Sequence, residues 1–420
     1  MLGLAVAAAA AEPPAMLTAT PSPLAPVTAA QLAAKKAWVA EVEGQDFYFW
    51  RRWFVFGGPA AGDQFDRPDA WYQPSAVVVG GLRPFFPVAL PREQTIDPKA
   101  LTAAADWAFA RRTVAFYVLH RGKLQLSRFA PGMDDAGIVG GHSMTKTLAG
   151  ILMGFALKDG AIKSLDEPAE TYLPEWKGDK RGRITLRQLL WNVAGLEIPA
   201  PVPTPDNKAV QLIDGSDVNK AALSFDLAVA PGTVFAHNNP TTQLLALIIE
   251  RATNTKYNVY LSEKLWRPVG NVRAALRLDR LGGNVIAYCC SQTAPSDWLR
   301  IGHLLAHDGV LPDGTRVLPA GWVAEMRKGS PVNPNYGLQI WNGSPYTPRR
   351  AYVNNTPGVG VNVHSEPFAA DDLFFLDGGA KMRVWMVPSL DLVVARFGSQ
   401  PEQEFDEAYL PNTVIRGIKR

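Results

Sequence analysis

The sequence predicts an α+β fold, in which one antiparallel sheet is assembled from distant parts of the chain and a mainly helical region is inserted within it. Three observations carry this. Residues 113–120 are apolar and β-branched, Arg121-Gly122-Lys123 forms a turn and residues 124–129 alternate, which is a hairpin. Residues 372–376, 383–388 and 390–397 are again strand-like, with Pro388-Ser389 turning the last pair. Between these ends, residues 145–159, 185–192, 241–252 and 296–307 have helical spacing.

Each part of the chain fits that plan. With 420 residues, 47% of them hydrophobic, the protein can bury a large core. Residues 2–11 are apolar and small, and Glu12-Pro13-Pro14 follows, resembling the core and cleavage zone of an export signal, although no Lys or Arg precedes it. Residues 1–28 therefore read as a signal-like segment and Pro/Ala-rich linker. This predicts a periplasmic or secreted protein, with a cytoplasmic one as the alternative. Residues 29–100, with helical spacing at 29–42, an aromatic-rich stretch at 46–53 and many prolines, read as an N-terminal extension. Residues 101–420 then form the main domain, with the helical insertion at roughly 160–290.

Composition excludes several function classes. Forty-two basic against 39 acidic side chains give a net charge of +3 without a long basic run, so no nucleic-acid footprint is present. No apolar stretch is long enough to span a membrane. The two cysteines, adjacent at Cys289 and Cys290, provide neither a disulfide framework nor a zinc site and are expected to be unbridged, buried thiols. No cofactor or metal is expected.

The chemistry concentrates at Gly140-Gly141-His142-Ser143-Met144-Thr145-Lys146. This segment follows the hairpin and opens a helix whose residues 147–157 carry no charge, the pattern of a buried helix. Ser143 falls on its first turn, where unpaired backbone N–H groups favour a developing anion. Lys146 lies three residues on, on the same face. Burial lowers a lysine's proton affinity, so Lys146 can accept the Ser143 hydroxyl proton. Ser-x-x-Lys alone is a weak signal, equally consistent with a capping serine and a solvated lysine; the Gly-Gly lead-in and uncharged helix favour a nucleophile.

Around this motif the sequence resembles the serine β-lactamase and penicillin-binding-protein superfamily, in particular the class C-type branch that includes 6-aminohexanoate-oligomer hydrolases and esterases. Ser143-Met144-Thr145-Lys146 is similar to the family's nucleophile motif. Leu165-Asp166-Glu167-Pro168, Tyr172-Leu173-Pro174-Glu175, Ala194-Gly195-Leu196, Pro231-Gly232-Thr233 and Tyr288-Cys289-Cys290 follow in the family's order, and Val387-Pro388-Ser389-Leu390-Asp391 matches its final strand pair. The resemblance spans roughly residues 105–400. It implies an antiparallel sheet flanked by helices, a helical domain and an active site between them. The implied function is a serine hydrolase cleaving a small-molecule amide or ester through an acyl-enzyme on Ser143. The alternative is an impaired member that binds a ligand or cell-wall peptide without turnover.

Two departures from the family pattern bear on that choice. Where the family has Tyr-x-Asn, this chain has His237-Asn238-Asn239. His237 is either a functional replacement, shuttling the proton to the leaving group with a reference pKa near 6.5, or a mark of impairment. The third motif maps to Leu376-Asp377-Gly378-Gly379-Ala380 and lacks the family's basic residue, which argues against recognition of a substrate carboxylate. The backbone N–H groups of Ser143 and Gly379 are the implied oxyanion hole. Asn239, Gly378, Tyr336 and Trp341 are the expected substrate-binding residues. No Gly-x-Ser-x-Gly elbow is present, His142 reads as a packing neighbour, and His303 and His307 have i, i+4 spacing without an obvious third metal ligand.

Overall fold

A computed structural model describes residues 47–56, 69–198, 204–354 and 361–419. The signal-like segment, the linker and the helical pattern at 29–42 lie outside the described residues. The aromatic-rich stretch forms helix α1 (Phe47–Val55), and β1 (Ser75–Val78) follows. Helix α2 (Pro98–Phe109) starts with Pro98 at its first position, behind Asp97, whose side chain accepts from the Lys99 N–H. The hairpin is β2 (Thr113–His120) and β3 (Lys123–Phe129). A two-residue strand, β4 (Val139–Gly140), leads into the buried helix α3 (Thr145–Lys158).

The helical region contains α4 (Leu186–Leu190), opened by a Thr185–Gln188 capping box, and α5 (Asn239–Thr253), capped by Asn238. Next come β5 (Ala274–Arg277), β6 (Ser291–Thr293) and α6 (Pro295–Ala306). Then follow β7 (Trp341–Asn342), β8 (Arg349–Arg350), β9 (Asn362–Val363), β10 (Phe374–Gly378), β11 (Met382–Val387), β12 (Leu392–Gly398) and α7 (Tyr409–Arg416).

The main sheet has the order β3-β2-β12-β11-β10-β7, and every pairing is antiparallel. The hairpin from the start of the domain is thus closed by strands from its end. Strand alternation divides the core in two. Ala115, Tyr117 and Leu119 of β2, with Val384 and Met386 of β11, face the packed side chains of α3, α5 and α6. Phe116, Val118, Trp385 and Val387 face Leu101, Ala104 and Ala108 of α2 and Leu410 and Val414 of α7.

A second sheet, β1-β5-β6-β4, is also antiparallel. It ties the N-terminal extension to the end of the helical region and, through β4, to the segment that carries Ser143. One expectation is corrected: Cys289 and Cys290 are joined to each other by a disulfide. Cys290 has a positive φ of 72°.

Candidate active site

The turn before Ser143 is built by close backbone approach. The Gly141 N–H donates to the Ser291 carbonyl at 2.7 Å. A Cβ on Gly141 would lie 2.1 Å from Ser291 Oγ and 2.6 Å from the Trp298 ring, so only glycine fits there. Ser291 Oγ also pairs with Thr145 Oγ1 at 2.7 Å. His142 has φ of 43°, turning the chain sharply into a short 3₁₀ segment (His142–Met144) that runs directly into α3. Ser143 therefore sits at the positive end of a buried helix.

Lys146 is 1% exposed, and its ammonium nitrogen has three oxygen neighbours. Nζ lies 3.1 Å from Ser143 Oγ, 2.8 Å from Asn239 Oδ1 and 2.9 Å from the Tyr288 carbonyl. Burial lowers its pKa to about 7, although the negative charge of Asp377 pulls the other way. At neutral pH a large fraction of Lys146 is thus unprotonated and within reach of the Ser143 hydroxyl.

Gly378 ends β10 against this turn: a Cβ there would lie 3.1 Å from both the Gly141 carbonyl oxygen and Met144 Cγ. Gly379 then opens the tight connection to β11, in which Ala380 and Lys381 both have positive φ. The third segment predicted from the sequence is thereby brought against the first.

His237 stands beside these groups with its backbone N–H donating to the Tyr352 carbonyl at 2.7 Å. Its ring stacks on Tyr352, with centroids 5.0 Å apart and an interplanar angle of 26°. Burial, and then the positive charges of Lys146, Arg350 and Arg383, hold its pKa well below 6.5. The shift is in the direction expected for an imidazole desolvated beside a lysine, and this imidazole is neutral at neutral pH.

Tyr336 and Trp341 are 1% and 2% exposed. Their rings pack against His237 at centroid distances of 5.6 and 5.7 Å, and the Tyr336 hydroxyl accepts from Asn192 Nδ2 at 2.9 Å. The two rings thus form a buried aromatic wall against His237. Asn239, expected to meet substrate, orients Lys146 through Oδ1, while its Nδ2 has no hydrogen-bond partner among the described residues.

Sequence reasoning missed the charged network behind the site. Asp377 pairs with Arg350 at 2.7 Å and Arg383 at 2.6 Å, and accepts from the Tyr352 hydroxyl at 3.0 and 3.1 Å. Both arginines also pair with Glu407, which His364 meets at 2.7 Å. All five charged or ionisable side chains are buried. Their positions, from 350 to 407, carry no local motif. The one available signal was charge placed within strand segments that are otherwise apolar, as at Asp377 and Arg383.

Comparisons with known proteins bear on the family and the fold. A family model described as Beta-lactamase matches residues 100–414. The 6-aminohexanoate-dimer hydrolase of Paenarthrobacter ureafaciens is 25% identical over 311 residues, 70% of this chain and 74% of that protein. A solved structure from Bacillus anthracis, named "Putative 6-aminohexanoate-dimer hydrolase", superposes with a TM-score of 0.65 at 19% identity, covering 89% of this chain and 94% of the other. A penicillin-binding-protein homolog from Caulobacter crescentus superposes with a TM-score of 0.58 at 15% identity, covering 79% and 98% of the two chains. The α+β fold expected from the sequence is the one these structures share, and the chain belongs to the β-lactamase family of serine hydrolases.

Proposed function

We propose that the protein cleaves an amide or ester bond of a small organic substrate through an acyl-enzyme on Ser143. The observation that carries this reading is the 3.1 Å approach of Lys146 Nζ to Ser143 Oγ, made by a lysine whose burial lowers its pKa to about 7. Neutral Lys146 takes the hydroxyl proton as Ser143 Oγ attacks the substrate carbonyl carbon. The backbone N–H groups of Ser143 and Gly379 receive the developing oxyanion. His237, neutral and beside Lys146, passes the proton to the leaving amine or alcohol, and water then releases the acyl group. Asn239 Nδ2 is a donor available to the substrate.

The relative from Paenarthrobacter ureafaciens is named for hydrolysis of 6-aminohexanoate dimer, which makes linear amides of amino acids the first class to test. We place the protein in the periplasm or outside the cell, on the signal-like character of residues 2–11.

A fluorophosphonate probe followed by peptide mass spectrometry tests the nucleophile. One adduct is expected, on Ser143, and it disappears in Ser143→Ala. A panel of p-nitrophenyl esters, nitrocefin and 6-aminohexanoate dimer tests turnover. Labelling elsewhere, or saturable binding of these compounds without turnover and indifferent to Ser143→Ala, overturns the proposal in favour of a non-catalytic binder.

A further inference from the structure

His303 and His307 lie one turn apart at the end of α6, and the fold supplies a third potential ligand that the sequence pattern did not reveal. Asp391 ends the connection between β11 and β12, and its carboxylate stands with the two rings so that one donor atom from each residue lies within 4.8 Å of the others. We propose that His303, His307 and Asp391 form a binding site for one divalent transition-metal ion, with zinc the best fit to two imidazoles, one carboxylate and a water.

The orientation of the donors supports this. His307 Nδ1 lies 2.8 Å from the His303 carbonyl oxygen, an acceptor, so Nδ1 carries the proton and Nε2 is the nitrogen left to bind. Fixing a ligating histidine through its other ring nitrogen on a backbone carbonyl is the usual arrangement in metal sites. Nε2 faces Asp391 Oδ1 at 3.0 Å. Ligand bonds of 2.0–2.2 Å in a tetrahedral zinc site put neighbouring donor atoms roughly 3.3 Å apart, so this pair needs almost no movement. The His303 ring lies against His307, centroids 4.0 Å apart and 21° from parallel, and one of its nitrogens lies within 4.8 Å of the other two donor atoms.

Asp391 is equally fixed. Its backbone has φ of 47°, its N–H donates to Pro388 at 3.0 Å, and its carbonyl accepts from the Arg121 N–H at 2.9 Å. His120, the other ring near Asp391, is not available: Nδ1 pairs with Thr95 Oγ1 at 2.6 Å, and the ring also bonds to the Leu390 backbone. Three protein donors and one open position remain. His303 also lines a cleft of about 260 Å³ with Phe86 and Arg300.

The site is separate from the hydrolytic one. The strand β11 begins at the turn beside Ser143 and ends at the connection that carries Asp391, and its six residues span about 20 Å. A metal here would clip α6 to the β11–β12 connection.

Tag-free protein, stripped with chelator and dialysed against zinc, is the material for the test, with metal content read by plasma mass spectrometry. One zinc per chain is expected, and saturating zinc at about 100 times its Kd should raise Tm by roughly 3 °C. His303→Gln, His307→Gln and Asp391→Asn should each weaken binding by at least about tenfold. Retained fluorophosphonate labelling of Ser143 reports that each variant is folded. Should a variant fail to fold, the cobalt-substituted wild-type protein decides: intense visible bands of a tetrahedral site support the proposal, and a weak octahedral spectrum overturns it. Wild-type protein that retains no zinc, or variants that retain it fully, leave only a His307–Asp391 ion pair and also overturn it.

Discussion

The Tyr288 carbonyl oxygen accepts a hydrogen bond from the buried Lys146 Nζ at 2.9 Å. Together with Asn239 Oδ1, it fixes the lysine with Ser143 Oγ as its third neighbour. Desolvation lowers the lysine's pKa to about 7, against the opposing pull of the Asp377 charge.

The first prediction follows from that balance. The base must be neutral to accept the serine proton, so kcat/KM should be level above pH 7 and fall as pH drops through about 7, by about tenfold per unit below it. Initial rates with an activated ester from pH 5 to 9 check this. A level profile down to pH 5 would remove Lys146 from the role of general base.

Asn239 supplies the second. Replacing its Oδ1 by a carboxylate in Asn239→Asp puts a negative charge about 3 Å from Nζ, where an opposite charge typically moves a pKa by about 1–3 units. The protonated lysine is favoured, so the acid limb should move above pH 7 and the rate at pH 7 should fall by about tenfold or more. The rate should recover at higher pH. A uniform loss at every pH would mean instead that Asn239 acts on substrate and not on the lysine.

Much of this site was legible in the sequence because its parts are local. Ser143, Lys146 and the glycine lead-in fall within seven residues, and a helix first turn fixes their relation. The strands at both ends of the domain were readable from alternation, and their closure into one sheet follows from antiparallel pairing. What was not legible depends on distant contacts. Asp377 becomes a partner of Arg350, Tyr352 and Arg383 only when β8, β10 and β11 converge. The packing of Tyr336 and Trp341 against His237 was not legible either, because aromatic rings on a Pro/Asn-rich stretch do not reveal which face they bury. The Cys289–Cys290 bridge depends on a positive φ that no side chain announces.

Asp377 gives the third prediction. Its charge favours protonated Lys146, and its carboxylate lies between two buried guanidinium groups. Asp377→Asn should move the acid limb to lower pH. It should also destabilise the fold, since removing one partner of a buried ion pair costs about 3–5 kcal/mol. Thermal unfolding and the pH–rate profile measure the two effects separately. A lowered Tm with an unmoved limb would restrict Asp377 to holding the arginines.

His237 gives the last prediction, and its environment decides what can be expected of it. Its ring stacks on Tyr352 and touches Tyr336 and Trp341, and the nearby charges of Lys146, Arg350 and Arg383 oppose its protonation. Its pKa lies well below 6.5, so it carries no proton at rest and gains one only transiently, as Lys146 delivers it towards the leaving group. His237→Ala should therefore lower kcat by about 10²–10⁴-fold on an amide, whose leaving group needs a proton. The loss should be far smaller on a p-nitrophenyl ester, whose leaving group does not. The acid limb should stay near pH 7 in this variant, because Lys146 sets it. His237→Tyr supplies the tyrosine of the motif that this segment resembles and should keep substantial amide turnover with the same limb. Equal losses on amide and ester in His237→Ala would make His237 a packing residue of the aromatic wall, and Lys146 would then carry both proton transfers.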